Sequence, residues 1–303
     1  MKKLTNLKDL RFMAQVIRED IITSLVEAKS GHSAGPLGMA DIFTALYFNV
    51  LKHNPKKPKW EGRDRFILSN GHICPLHYAV MANTGYFPKK ELLTLRKFGS
   101  RLQGHPHREA LPGLETTSGP LGSGLSQGCG MALAFKRDRK KNLVWVSCGD
   151  GEQDEGNHWE AVMFAGKHKL SNLIAITDRN YIQIDGDTEK VMPLDPLDAK
   201  YKAFNWNVVT IDGNDMNVVL KTLQKARNNK GKPLMVIANT IPGKGVDFME
   251  GDYHWHGKPP KPEEGEIAMD EIHAEEVRQR GDWVDVHWRF QPLHMLKKKG
   301  GRK

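Results

Sequence analysis

The sequence predicts an α/β fold built on a doubly wound parallel sheet. Three observations lead there. Short apolar runs rich in Val and Ile alternate with stretches of helical periodicity between residues 143 and 239. One complete strand–helix–strand unit, about 30 residues long, can be read between Leu143 and Thr177. No internal repeat or Pro/Gly/Ser linker divides residues 1–250, and 303 residues with 39% hydrophobic content suffice to bury a full core.

The elements follow in order. Leu10, Met13, Ala14, Ile17, Ile21 and Leu25 recur at helical spacing and predict a helix over Leu7–Lys29, with Gly31 as its stop. A second helix is expected over Met39–Leu51. The uninterrupted apolar run Leu143–Ser147 reads as a buried strand, Glu155–Lys169 as an amphipathic helix and Leu173–Thr177 as the next strand. Strand Asn207–Ile211, helix Met216–Asn228 and strand Leu234–Asn239 continue the alternation. A Pro/Gly-rich loop, His254–Gly265, then leads to a polar helix over Ile267–Arg280 and a basic tail without a readable pattern. The expected organisation is a domain over 1–260 and a C-terminal helix and basic tail over 261–303.

Composition limits the class of function. There is no run of 18 apolar residues and no cleavable signal, so the expectation is a cytoplasmic protein without a membrane partner. Cys74, Cys129 and Cys148 are odd in number, lack Cys-x-x-Cys spacing and sit in apolar or Gly-rich segments, which speaks against disulfides and zinc. The net charge of +9 is partly terminal, in Lys2-Lys3, Lys297–Lys299 and Arg302-Lys303. No nucleic-acid recognition module or aromatic-interleaved basic stripe accompanies it, so a nucleic-acid partner is not expected. Anionic small molecules would profit from the same positive field.

The chemistry concentrates between Gly149 and Gly186. Gly149-Asp150-Gly151 follows the first strand of the strand–helix–strand unit, and Asn180-Tyr-Ile182 follows the second. Both therefore emerge at the carboxyl edge of neighbouring parallel strands, where open α/β sheets bind ligands. A hard divalent cation there takes oxygen from a carboxylate, an amide and a backbone carbonyl, with phosphate oxygens completing the shell. Asp150, the Asn180 side chain and the Ile182 carbonyl supply that set. An isolated Gly-Asp-Gly is also a tight turn after a strand, and the Asn-x-Ile element is what separates the two readings.

Other motifs fail on single positions. An EF-hand starting at Asp150 needs Gly and Glu where Glu155 and Ala161 stand. A P-loop ending at Gly243-Lys244 needs Gly where Ala238 stands, and a dinucleotide fingerprint from Gly122 needs a small residue where Gln127 stands. Gly124-Leu-Ser126-Gln-Gly128 fits the hydrolase Gly-x-Ser-x-Gly pattern, but a turn rather than a strand precedes Ser126.

Five segments together resemble the transketolases. Gly149-Asp-Gly-Glu-Gln-Asp-Glu-Gly156 with Trp159-Glu-Ala161 and Asn172 to Gly186 is similar to their thiamine diphosphate motif. Ser30 to Ala40, Arg63 to His72, Gly104-His-Pro106 with Thr117 to Gly122, and Gly243-Lys-Gly245 with His256-Gly257 agree in the same order. The similarity spans roughly residues 5 to 260, so the domain over 1–260 is expected to bind thiamine diphosphate with Mg²⁺, or with Ca²⁺ or Mn²⁺. Ser33-Ala34 departs from the family's usual Pro-Gly.

The resemblance implies further roles. His72 and His256 would approach the diphosphate or the reacting centre, while His32, His105 and His256 would hold sugar hydroxyls or move protons. Gly119 would allow a close approach, and the Leu121 backbone would contact the aminopyrimidine. Gly149, Gly151 and Gly156 would face the diphosphate. Glu155 and Glu160 would belong to an acidic chain leading to the other active site of a dimer, although Glu155 also suits a helix N-terminus without any such role. The remaining histidines, such as His53, His158 and His168, read as structural. The implied activity is transfer of a two-carbon ketol unit from a phosphorylated ketose to an aldose; the alternative is a related ketol transferase acting on an unphosphorylated or modified ketose. The expected partner is a C-terminal transketolase subunit carrying the pyrimidine-binding domain, in a heterotetramer.

Overall fold

The computed structural model describes residues 3–280. The basic residues Lys297–Lys299 and Arg302-Lys303, and His287 and His294, lie outside them.

Helix α1 (Leu7–Ala28) is capped by the Asn6 side chain and ends at Lys29, which takes the left-handed conformation one residue beyond the helix. Gly31 serves close packing instead, since a Cβ there would lie 2.5 Å from Leu25. The helix expected over Met39–Leu51 starts earlier, as α2 (Ala34–Gly38). It resumes as α3 (Ala40–Ala45) and closes in a wide turn, Leu46–Val50. The interruption coincides with the Ile241 carbonyl, which would sit 2.9 Å from a Cβ on Gly38.

Strand β1 (Arg65–Leu68), α4 (Cys74–Thr84) and α5 (Ser123–Arg137) were not anticipated from periodicity. Physical causes are visible for each. β1 is four residues long and begins within the charged triplet Arg63-Asp64-Arg65; α4 is buried nearly all round and has no amphipathic stripe. α5 opens with glycines, which lower helical propensity. They serve contact instead: a Cβ at Gly124 or Gly128 would lie 2.4 Å from Ser69 or 2.7 Å from Val146. Ser126 is exposed within α5, so no strand-to-helix nucleophile turn forms.

The central unit comprises β2 (Val144–Gly149), α6 (Gly156–Lys167) and β3 (Leu173–Arg179), close to the expected bounds. A small hairpin of β4 (Ile182–Gln183) and β5 (Gly186–Asp187) follows, then α7 (Thr188–Val191) and α8 (Leu197–Ala203). The chain continues with β6 (Asn207–Asp212), α9 (Met216–Ala226) and β7 (Leu234–Asn239). The five long strands are all parallel, in the order β1-β2-β3-β7-β6.

Alternate strand residues feed two cores. Trp145, Ile174 and Val236 pack with α1, α3, α4 and α9, whereas Val146, Ala175 and Met235 pack with α5, α6 and α8. Burial on both faces explains why these strands are continuous apolar runs. Helix α10 (Pro262–Arg280) begins five residues before the expected start. It lies on α1, with Ala268 and Ile272 fully buried and His273 Nε2 2.6 Å from the Glu19 carboxylate. Buried charges on α1 are paired, Arg18 with Asp41 at 2.5 Å and Asp20 with Lys89 at 2.7 Å.

One packing contact yields a stability prediction. A Cβ on Gly166 of α6 would meet the Phe204 carbonyl oxygen at 2.0 Å, and that acceptor is backbone. Gly166→Ala gains about 1 kcal/mol of helix propensity but must displace the loop after α8. The expected net result is a loss of about 1–3 kcal/mol in urea unfolding. A stabilised variant would contradict the contact.

Candidate active site

The carboxyl ends of β1, β2 and β3 open onto a cavity of about 270 Å³. Of the residues singled out in the sequence, His32, His72, His105 and His256 line it, as do Gly119, Leu121, Gly149, Gly151, Asp150, Asn180 and Ile182. Loops from four distant parts of the chain therefore converge on one place. Three expected residues lie outside its lining. Gly156 is exposed at the start of α6, preceded by a tight 3₁₀ turn over Gly151–Asp154, and Glu155 and Glu160 face solvent. The turn carrying Gly151, rather than the N-terminus of α6, is what borders the cavity.

Asp150 is 2% exposed and its carboxylate is oriented by three donors. Oδ1 accepts from the Gly151 N–H at 2.8 Å, while Oδ2 accepts from the Tyr181 N–H at 2.8 Å and from Arg179 Nη1 at 3.3 Å. Tyr181 reaches it by adopting φ of 63°, an uncommon conformation for a residue with a side chain. The same turn sets Asn180 and Ile182 on either side. Burial pushes the Asp150 carboxyl up to about 6, against the lowering pull of these hydrogen bonds and of Arg179.

Asn180 is clamped as well. Its Nδ2 donates to Asp178 Oδ2 at 2.9 Å, and its Oδ1 accepts from the Ile182 N–H at 3.0 Å. That amide orientation leaves an oxygen lone pair available in the cavity that Asp150 also lines. Asp178, which also accepts from the Thr240 hydroxyl, is pushed up to about 7, chiefly by burial. The donors available are a carboxylate, an amide oxygen and a carbonyl, a hard oxygen set that fits a divalent cation. A bound cation would hold Asp150 ionised despite its burial.

The four histidines form one cluster. The His72 ring lies 5.1 Å from His32 and 5.0 Å from His256, His32 lies 5.7 Å from His256, and His105 completes the group 6.5 Å from His32. Burial lowers the basicity of all four, His32 to about 4. At neutral pH they are uncharged imidazoles, able to donate at one nitrogen and accept at the other. His105 is the most exposed and stands at the mouth; the others are half-buried.

Several residues that shape the site carried no usable signal alone. Glu152 is 3% exposed and bonds the Ser69 hydroxyl, the Gly122 N–H at 2.8 Å and the Gly149 N–H at 2.9 Å. It thus ties the Gly119–Gly122 loop to the Gly-Asp-Gly turn. Arg179 bridges Asp150 to Glu189 at 2.5 Å and Asp195 at 3.3 Å. Both residues stand inside the motif stretch, but an Arg or Glu there reads as a surface charge until its partners are known.

Four other histidines are engaged elsewhere. His77 contacts Tyr47, His53 contacts Tyr86, His158 contacts Tyr201 and His254 contacts Asp252. Cys74, Cys129 and Cys148 are free and buried; burial pushes the Cys74 and Cys129 thiols up to about 12, which makes them poor nucleophiles.

The family described as "Transketolase, thiamine diphosphate binding domain" matches residues 10–275. The 6-deoxy-6-sulfo-D-fructose transketolase subunit of Clostridium sp. strain MSTE9 is 41% identical over 267 residues, covering 88% of this chain and 97% of that protein. An apulose-4-phosphate transketolase subunit from Phocaeicola vulgatus is 40% identical over 263 residues, covering 87% of this chain and 93% of that one. Among solved structures, the transketolase from Leishmania mexicana superposes with a TM-score of 0.82 at 33% identity, over 98% of this chain and 46% of the other. The chain thus spans nearly the whole of the subunits it matches and about half of this solved transketolase.

Proposed function

This chain belongs to the transketolase family, as its thiamine diphosphate-binding domain, and from that premise we propose that it is the diphosphate-binding subunit of a two-subunit transketolase. The observation that carries the reading is that Asp150, Asn180 and Ile182 line one cavity with a cluster of four neutral histidines. When bound, thiamine diphosphate supplies the electron sink that lets a two-carbon ketol unit leave a ketose and join an aldose. Asp150, Asn180 and the Ile182 carbonyl would hold Mg²⁺, or Ca²⁺ or Mn²⁺, against the diphosphate. The Gly149–Gly151 turn leaves room for the close approach, and Gly119, with an open Cα face and φ of 148°, does the same across the cavity.

His72, inside the cluster, is assigned to the diphosphate side, and His256 to the reacting centre. His32 and His105 would hold sugar hydroxyls and exchange protons with them, which a neutral imidazole can do in either direction. Glu155 and Glu160, exposed on this chain, are assigned to contacts made in the assembly. The partner is a second subunit carrying a pyrimidine-binding domain, in a heterotetramer. Support for it comes from the relatives named as transketolase subunits. The proposed substrates are a phosphorylated ketose and an aldose. A sulfonated ketose is the second reading, favoured by the name of the Clostridium relative. No described helix is long and apolar enough to cross a membrane, and the cytoplasm is the proposed location.

Two tests arise here. His105→Ala is expected to lower turnover or raise the KM for the donor sugar with little change in cofactor affinity, whereas His72→Ala weakens cofactor retention. Steady-state assays beside cofactor titrations would exchange the two roles if the pattern came out reversed.

The second concerns pH. Protons compete with a cation for Asp150, whose carboxyl burial pushes up to about 6. Mg²⁺-supported cofactor binding should be flat above about pH 7 and weaken below it, approaching about tenfold per unit below pH 6. Calorimetric titrations at pH 5, 6, 7 and 8 read this directly. Equal affinity at pH 5 and pH 8 would remove Asp150 from the ligand set.

A further inference from the structure

His256 reaches the cavity on a strap, residues 252–261, that is not part of the sheet. The strap is braced within itself. Asp252 Oδ1 accepts from the His254 N–H at 3.0 Å, and the backbone N–H groups of Trp255 and His256 donate to the Asp252 and Tyr253 carbonyls. Trp255 is 6% exposed and packs on Phe248, and the Lys258 ammonium stands 3.7 Å from the centre of its ring.

What sets the strap against the opposite wall is a different contact. Ser33, with no exposed surface, donates its hydroxyl to the Lys258 carbonyl at 2.6 Å, across 225 residues of sequence. The bond lies one residue from His32 and two from His256. Between them, Gly257 backs directly onto the His32 ring, since a Cβ there would be 3.8 Å from His32 Nε2.

We propose that Ser33 is a positioning residue, whose hydroxyl bond to the Lys258 carbonyl seats the strap and so holds His256 over His32 and His72. The proposal rests on the four-histidine cavity being the active site. Its physical basis is specific: without the hydroxyl, the part-buried Lys258 carbonyl loses this partner, a loss large enough to shift a local opening equilibrium about tenfold. Ser33→Ala removes one oxygen and adds no bulk, so the sheet and its helices stay intact.

The test compares wild type and Ser33→Ala as full chains assembled with the second subunit. Hydrogen exchange at the Trp255 and His256 amides should speed up about tenfold, with β2 and β3 unchanged. The donor-sugar KM should rise several-fold with a smaller change in kcat. Unchanged strap exchange, a uniform acceleration that includes β2 and β3, or an unchanged KM would each overturn the proposal. A wild-type assembly that neither binds thiamine diphosphate nor transfers a ketol unit would instead defeat the functional reading. The exchange comparison would still decide whether Ser33 holds the strap.

Discussion

Asp150→Ala and Asn180→Ala are each expected to weaken Mg²⁺-dependent thiamine diphosphate binding by at least about a hundredfold, since even residues behind a metal ligand are worth about 10–100-fold. Neither side chain sits in a solvated loop, as their exposures are 2% and 7%. The alanine variants therefore also cost stability. Asp150→Ala strips a partner from buried Arg179 and from the Tyr181 N–H, a loss of about 1–3 kcal/mol. Asp150→Asn is the cleaner probe: it keeps an oxygen for the Tyr181 or Gly151 N–H while removing the charge that a cation needs. Arg179 retains Glu189 and Asp195 in every variant, which should keep the fold. Calorimetric titration of the assembled protein with cofactor and Mg²⁺, paired with urea unfolding, separates the two effects. Wild-type affinity in folded Asp150→Asn and Asn180→Ala would refute the cation assignment.

The chain without its partner should be catalytically silent even when saturated with cofactor and Mg²⁺. The physical reason lies in the cavity. Leu121, 38% exposed, and Ile184, 67% exposed, line it and present apolar surface that the described residues leave partly uncovered. Water exclusion and activation of the aminopyrimidine would be left to a second domain. Adding the second subunit should raise turnover from background by several orders of magnitude. It should also yield a particle with two chains of each kind, related by two-fold symmetry. A coupled transketolase assay with and without that subunit, beside light scattering for mass, tests both parts. Robust turnover by the lone chain would overturn the two-subunit reading.

Much of this architecture is legible in the sequence. β2, β3 and β7 are continuous apolar runs because both faces of a central parallel strand are buried, and that leaves an unambiguous trace in composition. Asp150 and the Asn180-x-Ile182 element are legible for a related reason. Each follows a strand within one strand–helix–strand unit, so local order along the chain already places them side by side at one edge of the sheet.

The features that escaped are those whose meaning depends on residues far away in sequence. The glycines opening α5 weaken its helical pattern, and their close contact with Ser69 and Val146 is invisible along the chain. Glu152, Asp178 and Arg179 carry charges that composition assigns to the surface, yet each is at most 3% exposed and paired. The distances among His32, His72, His105 and His256, and the Ser33 bond that joins two of their loops, arise only when segments up to 225 residues apart are packed together. Periodicity and local motifs report which face of an element is buried and what chemistry stands at its end. Which charges are desolvated, which donors meet which acceptors, and how loops close over a cavity are set by long-range packing, and for these no signal of short range exists.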